Sequence, residues 1–231
     1  MKLNLLRIMS SIFILSVSMT NGYTADSDIY ITQTGTGLTL TIDQVGSGNI
    51  VGTSQARVIL SGTSMTVDLD QLGASNVLAA SISQGNSSSW TYKAEGDSNT
   101  ATFAVGGTGD VAGSDFDFEA TGDSNVLTFT QGDAATSTSG NQDMVITGTS
   151  NNINAKCNVI GCKNEWAVSG NSNDIDTLQS GANDHSIVVS LTGSSNDVDV
   201  DQTDTANANV LNLTSTTSNA TINIDQCASG C

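Results

Sequence analysis

Thr66-Val67-Asp68-Leu69-Asp70-Gln71-Leu72-Gly73-Ala74-Ser75-Asn76 is the stretch whose reading decides the fold. Val67, Leu69 and Gln71 share one face of an extended chain, and Asp68 and Asp70 share the other. A period of two marks a strand with one buried face. The strand runs into Gly73-Ala74-Ser75-Asn76, an arc of turn-forming residues, and a second alternating run, Val77 to Ser83, follows.

The same order recurs along the chain. A Gly stands three residues before an Asn at Gly46/Asn49, Gly73/Asn76, Gly96/Asn99, Gly122/Asn125, Gly148/Asn151, Gly170/Asn173 and Gly193/Asn196, at intervals of 22 to 27 residues. Gly161/Asn164 falls between two of these. A period of this size means one supersecondary unit stacked on itself rather than a globule around one pocket. Each glycine is expected to permit positive φ where the chain turns sharply. Looser arcs near Gly62, Gly85, Gly106, Gly132, Gly161 and Gly181 return the chain. One repeat is therefore strand, tight arc, strand, loose arc. The reading is all-β: a β-solenoid of about eight two-strand rungs with two facing parallel sheets. A hairpin β-sandwich gives no reason for the recurring Gly-x-x-Asn order.

Inward polar residues recur as well. Gln44 follows Leu38, Leu40 and Ile42 on the inner face; Gln131 follows Phe129, Gln202 follows Val198 and Val200, and Gln226 follows Ile222 and Ile224. Stacked rungs bring such amides onto copies of themselves, and amide ladders satisfy buried polar groups along a stack. The expected ladder residues are Gln44, Asn49, Gln71, Asn76, Asn99, Asn125, Gln131, Asn151, Asn173, Gln179, Asn196, Gln202 and Gln226. The turn glycines are Gly46, Gly73, Gly96, Gly122, Gly148, Gly170 and Gly193.

Composition agrees with continuous strand pairing. Proline is absent from all 231 residues, whereas ordinary usage predicts roughly eleven; it cannot donate to a sheet ladder. Residues 1–25 read as a secretory signal peptide: Lys2 and Arg7 precede an apolar run from Ile8 to Met19, with Ala25 as a plausible last residue before cleavage. Residues 26–231 read as a single repeat domain. Its basic residues are Arg57, Lys93, Lys156 and Lys163 against 23 acidic ones. Nucleic-acid binding needs phosphate-neutralising Lys and Arg, so it is not expected. Membrane insertion is not expected either, since no later stretch is apolar enough to span.

Cys157, Cys162, Cys227 and Cys231 are expected to pair in an exported chain. Three connectivities are open; Cys157–Cys162 and Cys227–Cys231 are favoured because each pair is close in sequence. Their spacings do not form a standard zinc pattern. Asp197, Asp199 and Asp201 with Asp204 lie in a row on an exposed strand face, which does not wrap a calcium ion. No metal, cofactor or catalytic residue is expected. A polysaccharide-active enzyme is disfavoured, because His185 is the single histidine and the few cations are dispersed.

Gln44-Val45-Gly46-Ser47-Gly48-Asn49, with Gln55 six residues after the Asn, resembles the curlin repeat of curli fibre subunits, Gln-x-Gly-x-x-Asn-x-Ala-x3-Gln. Gln71-Leu72-Gly73-Ala74-Ser75-Asn76 matches its first half; the arcs at Gly170 and Gly193 lack the Gln two residues before the Gly. The resemblance implies an exported protein reaching the cell surface or extracellular space through the periplasm. It implies polymerisation there into amyloid fibres for adhesion and biofilm. It implies homo-oligomerisation by head-to-tail strand addition, helped by a nucleator and an outer-membrane secretion machinery, with host or abiotic surfaces as targets. It adds Gln55 to the ladder residues. Val51 and Leu78 stand where the family has Ala. The competing expectation is a monomeric capped solenoid acting as a surface adhesin.

Overall fold

In the computed structural model the chain is described over residues 3–9, 13–20, 27–46, 48–52, 58–84, 86–106, 112–132, 140–158, 161–181, 185–204 and 210–227. The strands in chain order begin with β1 (Leu3–Met9), β2 (Phe13–Thr20), β3 (Ser27–Thr34), β4 (Leu38–Val45), β5 (Asn49–Val51) and β6 (Val58–Ser61). Then come β7 (Thr66–Leu72), β8 (Ser75–Gln84), β9 (Ser89–Glu95), β10 (Ser98–Val105), β11 (Ser114–Thr121), β12 (Ser124–Gln131) and β13 (Gly140–Thr147). The series closes with β14 (Asn152–Cys157), β15 (Lys163–Ser169), β16 (Asp174–Gly181), β17 (Ser186–Ser194), β18 (Asp197–Asp204), β19 (Val210–Ser218) and β20 (Thr221–Cys227). No helix occurs among the described residues.

From β6 onward consecutive strands alternate between an 11-stranded and a 9-stranded sheet, and β5 and β6 share one place in the 11-stranded sheet. Every pairing is parallel and joins a strand to its equivalent one repeat away, as β10 to β8 and β12, or β11 to β9 and β13. The β-solenoid reading holds and the hairpin sandwich does not. Each rung is one strand from each sheet, from β4 with β5 and β6 up to β19 with β20, in keeping with the expected number.

Alternation decides what lies between the sheets. In β13 every second residue from Gly140 is buried and the others are exposed. The widest part of the interior is aromatic. Phe103 packs edge-on to Phe118 with ring centroids 4.8 Å apart, and Phe129 lies 5.1 Å from Phe116 and 5.2 Å from Phe118. Each such pair adds about 0.5–1.5 kcal/mol beyond area burial. Trp90 is buried against Phe116, ring centroids 6.1 Å apart, and Trp166 is buried further along on β15.

Four of the seven tight-arc glycines have the expected positive φ: Gly46 (145°), Gly148 (154°), Gly170 (140°) and Gly193 (134°). Gly73, Gly96 and Gly122 are not among the residues with positive φ. What they need is room: a Cβ on Gly96 would lie 1.6 Å from the carbonyl oxygen of Gly73, one rung away. In the four arcs with a positive-φ glycine the residue just before the Asn is left-handed as well: Gly48 (φ 70°), Ser150 (φ 60°), Ser172 (φ 58°) and Ser195 (φ 56°). Gly161/Asn164 is no tight arc; Gly161 belongs to a loose arc and Asn164 is an inward residue of β15.

At the N-terminal end the segment read as a signal peptide contributes β1, paired to β3, and β2, paired to β4. At the C-terminal end, among the described residues, β20 pairs only with β18 and β19 only with β17. The inward residues Leu211, Leu213 and Ile222 are accordingly only partly buried, and Ile224 is 44% exposed.

Because the clash at Gly96 is with backbone, no side-chain rotation relieves it. Gly96→Ala is expected to cost on the order of 3 kcal/mol, read as a lower urea midpoint; Gly113→Ala, whose Cβ would meet nothing nearer than 4.0 Å, strains only its own left-handed backbone and should cost less.

Candidate assembly site: amide ladders and the end rungs

The asparagines form one continuous ladder. Each Nδ2 donates to the next rung's Oδ1: Asn49 to Asn76 at 3.2 Å, Asn76 to Asn99 at 2.7 Å, Asn99 to Asn125 at 2.7 Å and Asn125 to Asn151 at 2.9 Å. Asn151 then donates to Asn173 at 2.7 Å and Asn173 to Asn196 at 2.9 Å. The second amide hydrogen ties the arc itself: Asn125 Nδ2 lies 3.1 Å from Gly122 O, and Asn173 Nδ2 2.9 Å from Gly170 O. All seven are buried. The ladder stops at Asn196, whose Nδ2 is buried without an acceptor. Ala220 holds the next place, one residue before Thr221, which pairs with Asp197.

The glutamines do not form one ladder. Gln44 and Gln71 lie on β4 and β7 of the 9-stranded sheet, where Gln71 Nε2 donates to Gln44 Oε1 at 2.8 Å. Tyr92 supplies a hydroxyl donor to Gln71 Oε1 at 3.0 Å; burial pushes its phenol up, so it stays protonated. Gln131, Gln179, Gln202 and Gln226 lie in the other sheet, in a column interrupted by Cys157. Gln202 Nε2 donates to Gln179 Oε1 at 2.8 Å, and Gln226 Nε2 donates to Gln202 Oε1. Gln131 is served across the interior by Gln142, whose Nε2 lies 2.8 Å from Gln131 Oε1. Gln55 lies outside the described residues.

Sequence reasoning missed Gln142 and Tyr92 as partners in this network, and Gln33 as a further buried amide. Alternation alone places Gln33 inward after Ile29 and Ile31, and it is buried with both amide atoms unpaired.

Outside, acids stack in columns: Asp117, Asp143 and Glu165 on one face, Asp176 with Asp199 and Asp201 with Asp225 on the other. Asparagines relieve part of this, Asn154 Nδ2 lying 2.9 Å from Asp176 Oδ2 and Asn141 Nδ2 2.8 Å from Asp115 Oδ1. Partial burial, then Asp117 and Glu165, raises the Asp143 carboxyl; partial burial, then Asp199 and Asp225, raises Asp201. Asp70 is raised by partial burial, then by Asp68 and Asp43. No group of His, Cys, Asp or Glu suited to hold a metal occurs among the described residues.

The Cys157–Cys162 disulfide is present, with Cα atoms 6.4 Å apart, and both cysteines are buried. It clips the loose arc between β14 and β15. Cys227 is also disulfide-bonded; Cys231 lies outside the described residues.

A parallel solenoid whose interior is tied by amide ladders is a structural repeat architecture. The Curlin associated repeat model matches residues 170–203, so the chain carries a curlin repeat. The match spans the arcs at Gly170 and Gly193, where the Gln is missing, rather than the arcs at Gly46 and Gly73 that carry the fuller motif. No curated protein and no solved structure is significantly similar to the chain.

Replacing a mid-ladder amide strands two neighbours, whereas replacing the last one strands a single neighbour. Asn125→Leu is expected to cost about 2–4 kcal/mol in urea denaturation and Asn196→Leu distinctly less; equal costs would mean the ladder carries no energy. The raised carboxyls set the pH response. A carboxyl whose folded pKa exceeds its unfolded value opposes folding when ionised, and the opposition fades as pH falls through the folded pKa. The urea midpoint should therefore rise between pH 7 and about 4.5; a fall would show that the acid columns do not strain the stack.

Proposed function

We propose that this chain is a secreted structural protein whose copies join head to tail into extracellular, curli-like amyloid fibres serving adhesion and the biofilm matrix. The observation that carries the reading is the C-terminal rung. β19 and β20 each have one paired edge, and Ile224 of the inner face is exposed. An open strand edge above uncovered apolar side chains recruits another strand. The curlin repeat at residues 170–203 supports the same class of role.

On this reading residues 1–25 direct export and are removed near Ala25, and the chain passes the periplasm and an outer-membrane secretion machinery. A nucleator starts growth outside, and the fibres meet host or abiotic surfaces. The acid columns keep the sides of the stack apart and leave the ends as the route of association. The four cysteines suit an oxidising compartment.

Purified chain without residues 1–25, disulfides intact, is expected to give unbranched fibres in negative-stain microscopy with rising thioflavin fluorescence over days. A persistent monomer with a β-type circular dichroism spectrum would overturn this and favour a capped solenoid adhesin.

A further inference from the structure

The geometry points to a specific junction between copies: β20 of one molecule pairs in parallel with β3 of the next, Gln226 bonding Gln33, and β1 of the full chain occupies that place until it is removed. The inference rests on the self-assembly proposed above and names its partner surface and its control.

The argument starts from Gln33. Its column through the 11-stranded sheet reads Gln33, Leu60, Ile82, Val105, Gln131, Cys157, Gln179, Gln202, Gln226. The amide at its start has Leu60 on one side and Ile8 of β1 on the other, neither with a side-chain hydrogen-bonding group. Gln33 is 2% exposed, and both its amide atoms lack a partner. A buried unpaired amide is costly, and such groups are normally satisfied. The other end of the same column is an amide whose Nε2 is already committed to Gln202. In this sheet each later glutamine donates to the earlier one. Gln33 Nε2 of a following copy therefore has its acceptor in Gln226 Oε1.

The register that joins these glutamines also matches their neighbours. It sets Ile29 over Ile222 and Ile31 over Ile224, covering the exposed apolar side chain of the end rung. Outside, Tyr30 meets Asn223 and Thr32 meets Asp225. Among these pairs no carboxylate faces another, in contrast to the acid columns within the molecule. Parallel pairing shifted by one residue would turn the apolar set to solvent.

In the full chain β1 and β2 fill the edge that this junction needs. Removal of residues 1–25 thus frees the edge of β3 and β4, tying growth to processing.

The test uses the full chain with a protease site inserted between Ala25 and Asp26 and with Tyr30→Cys and Asn223→Cys. These positions lie at opposite ends of the stack, several rungs of about 4.8 Å apart, so a disulfide between them is intermolecular. After cutting and mild oxidation, fibres should yield a ladder of covalent oligomers on a non-reducing gel, and the uncut chain should not. Thr32→Cys with Asn223→Cys, two residues out of register, should fail to link, because Cα atoms beyond about 7 Å cannot be bridged. Fibres without the Tyr30–Asn223 link would overturn the junction while leaving self-assembly standing. Absence of fibres from the cut, unsubstituted chain would overturn both. Equal linking before cutting would overturn the control by β1. Gln33→Leu gives a second reading: elongation should slow about tenfold while the urea midpoint of the monomer rises. Unchanged elongation would sink the amide contact.

Discussion

The structure depends on one coincidence of length. Parallel strands stack at about 4.8 Å, and a side-chain amide repeated at that spacing bonds its own copy. The asparagines at 49, 76, 99, 125, 151 and 173 use this, each reaching the next rung through its Nδ2 while most also hold their own arc's glycine carbonyl, and Asn196 ends the ladder as an acceptor. The arcs must then approach at strand spacing, which leaves no space for a Cβ at the glycines. Glycine and asparagine three residues apart are two halves of one constraint. Proline is excluded by the same ladder of backbone donors.

Everything else is filled around that frame. Once the arcs fix the register, the interior accepts what fits between the sheets. The centre holds phenylalanines and the flanks hold glutamines and aliphatic residues. Rung length varies because the loose arcs absorb it. Carboxylates stack on parts of the sides, as Asp117, Asp143 and Glu165 do, so like charges line those faces and repel other molecules approaching sideways. The C-terminal end is different in kind: strand edges and a partly exposed apolar inner face meet solvent there.

Much of this was legible in the chain. The period and the alternation at Val67, Leu69 and Gln71 identified a two-sheet solenoid, and the Asn positions identified the ladder. The positive-φ reason for the glycines holds at Gly46, Gly148, Gly170 and Gly193 but not at Gly73, Gly96 and Gly122, because sequence shows a small residue at an arc but not what lies one rung away. The glutamines looked like one set, yet Gln44 and Gln71 precede the tight arc while Gln131, Gln179, Gln202 and Gln226 close the strands that lead to the loose arc. That offset places them on opposite sheets. Gln142 bonding Gln131 across the interior follows from packing, not from periodicity. The pairing of β1 and β2 onto the stack was also invisible, since an apolar leader and an apolar strand have similar compositions.

The most direct test of the central claim is hydrogen exchange of the asparagine side-chain amides, followed by NMR on the folded chain. The account predicts that the Nδ2 protons of Asn99, Asn125 and Asn151 exchange orders of magnitude more slowly than those of the outward Asn141 and Asn154. Exchange of the ladder amides at the rate of the outward ones would show that the rungs are not tied through their asparagines, and the account would fail.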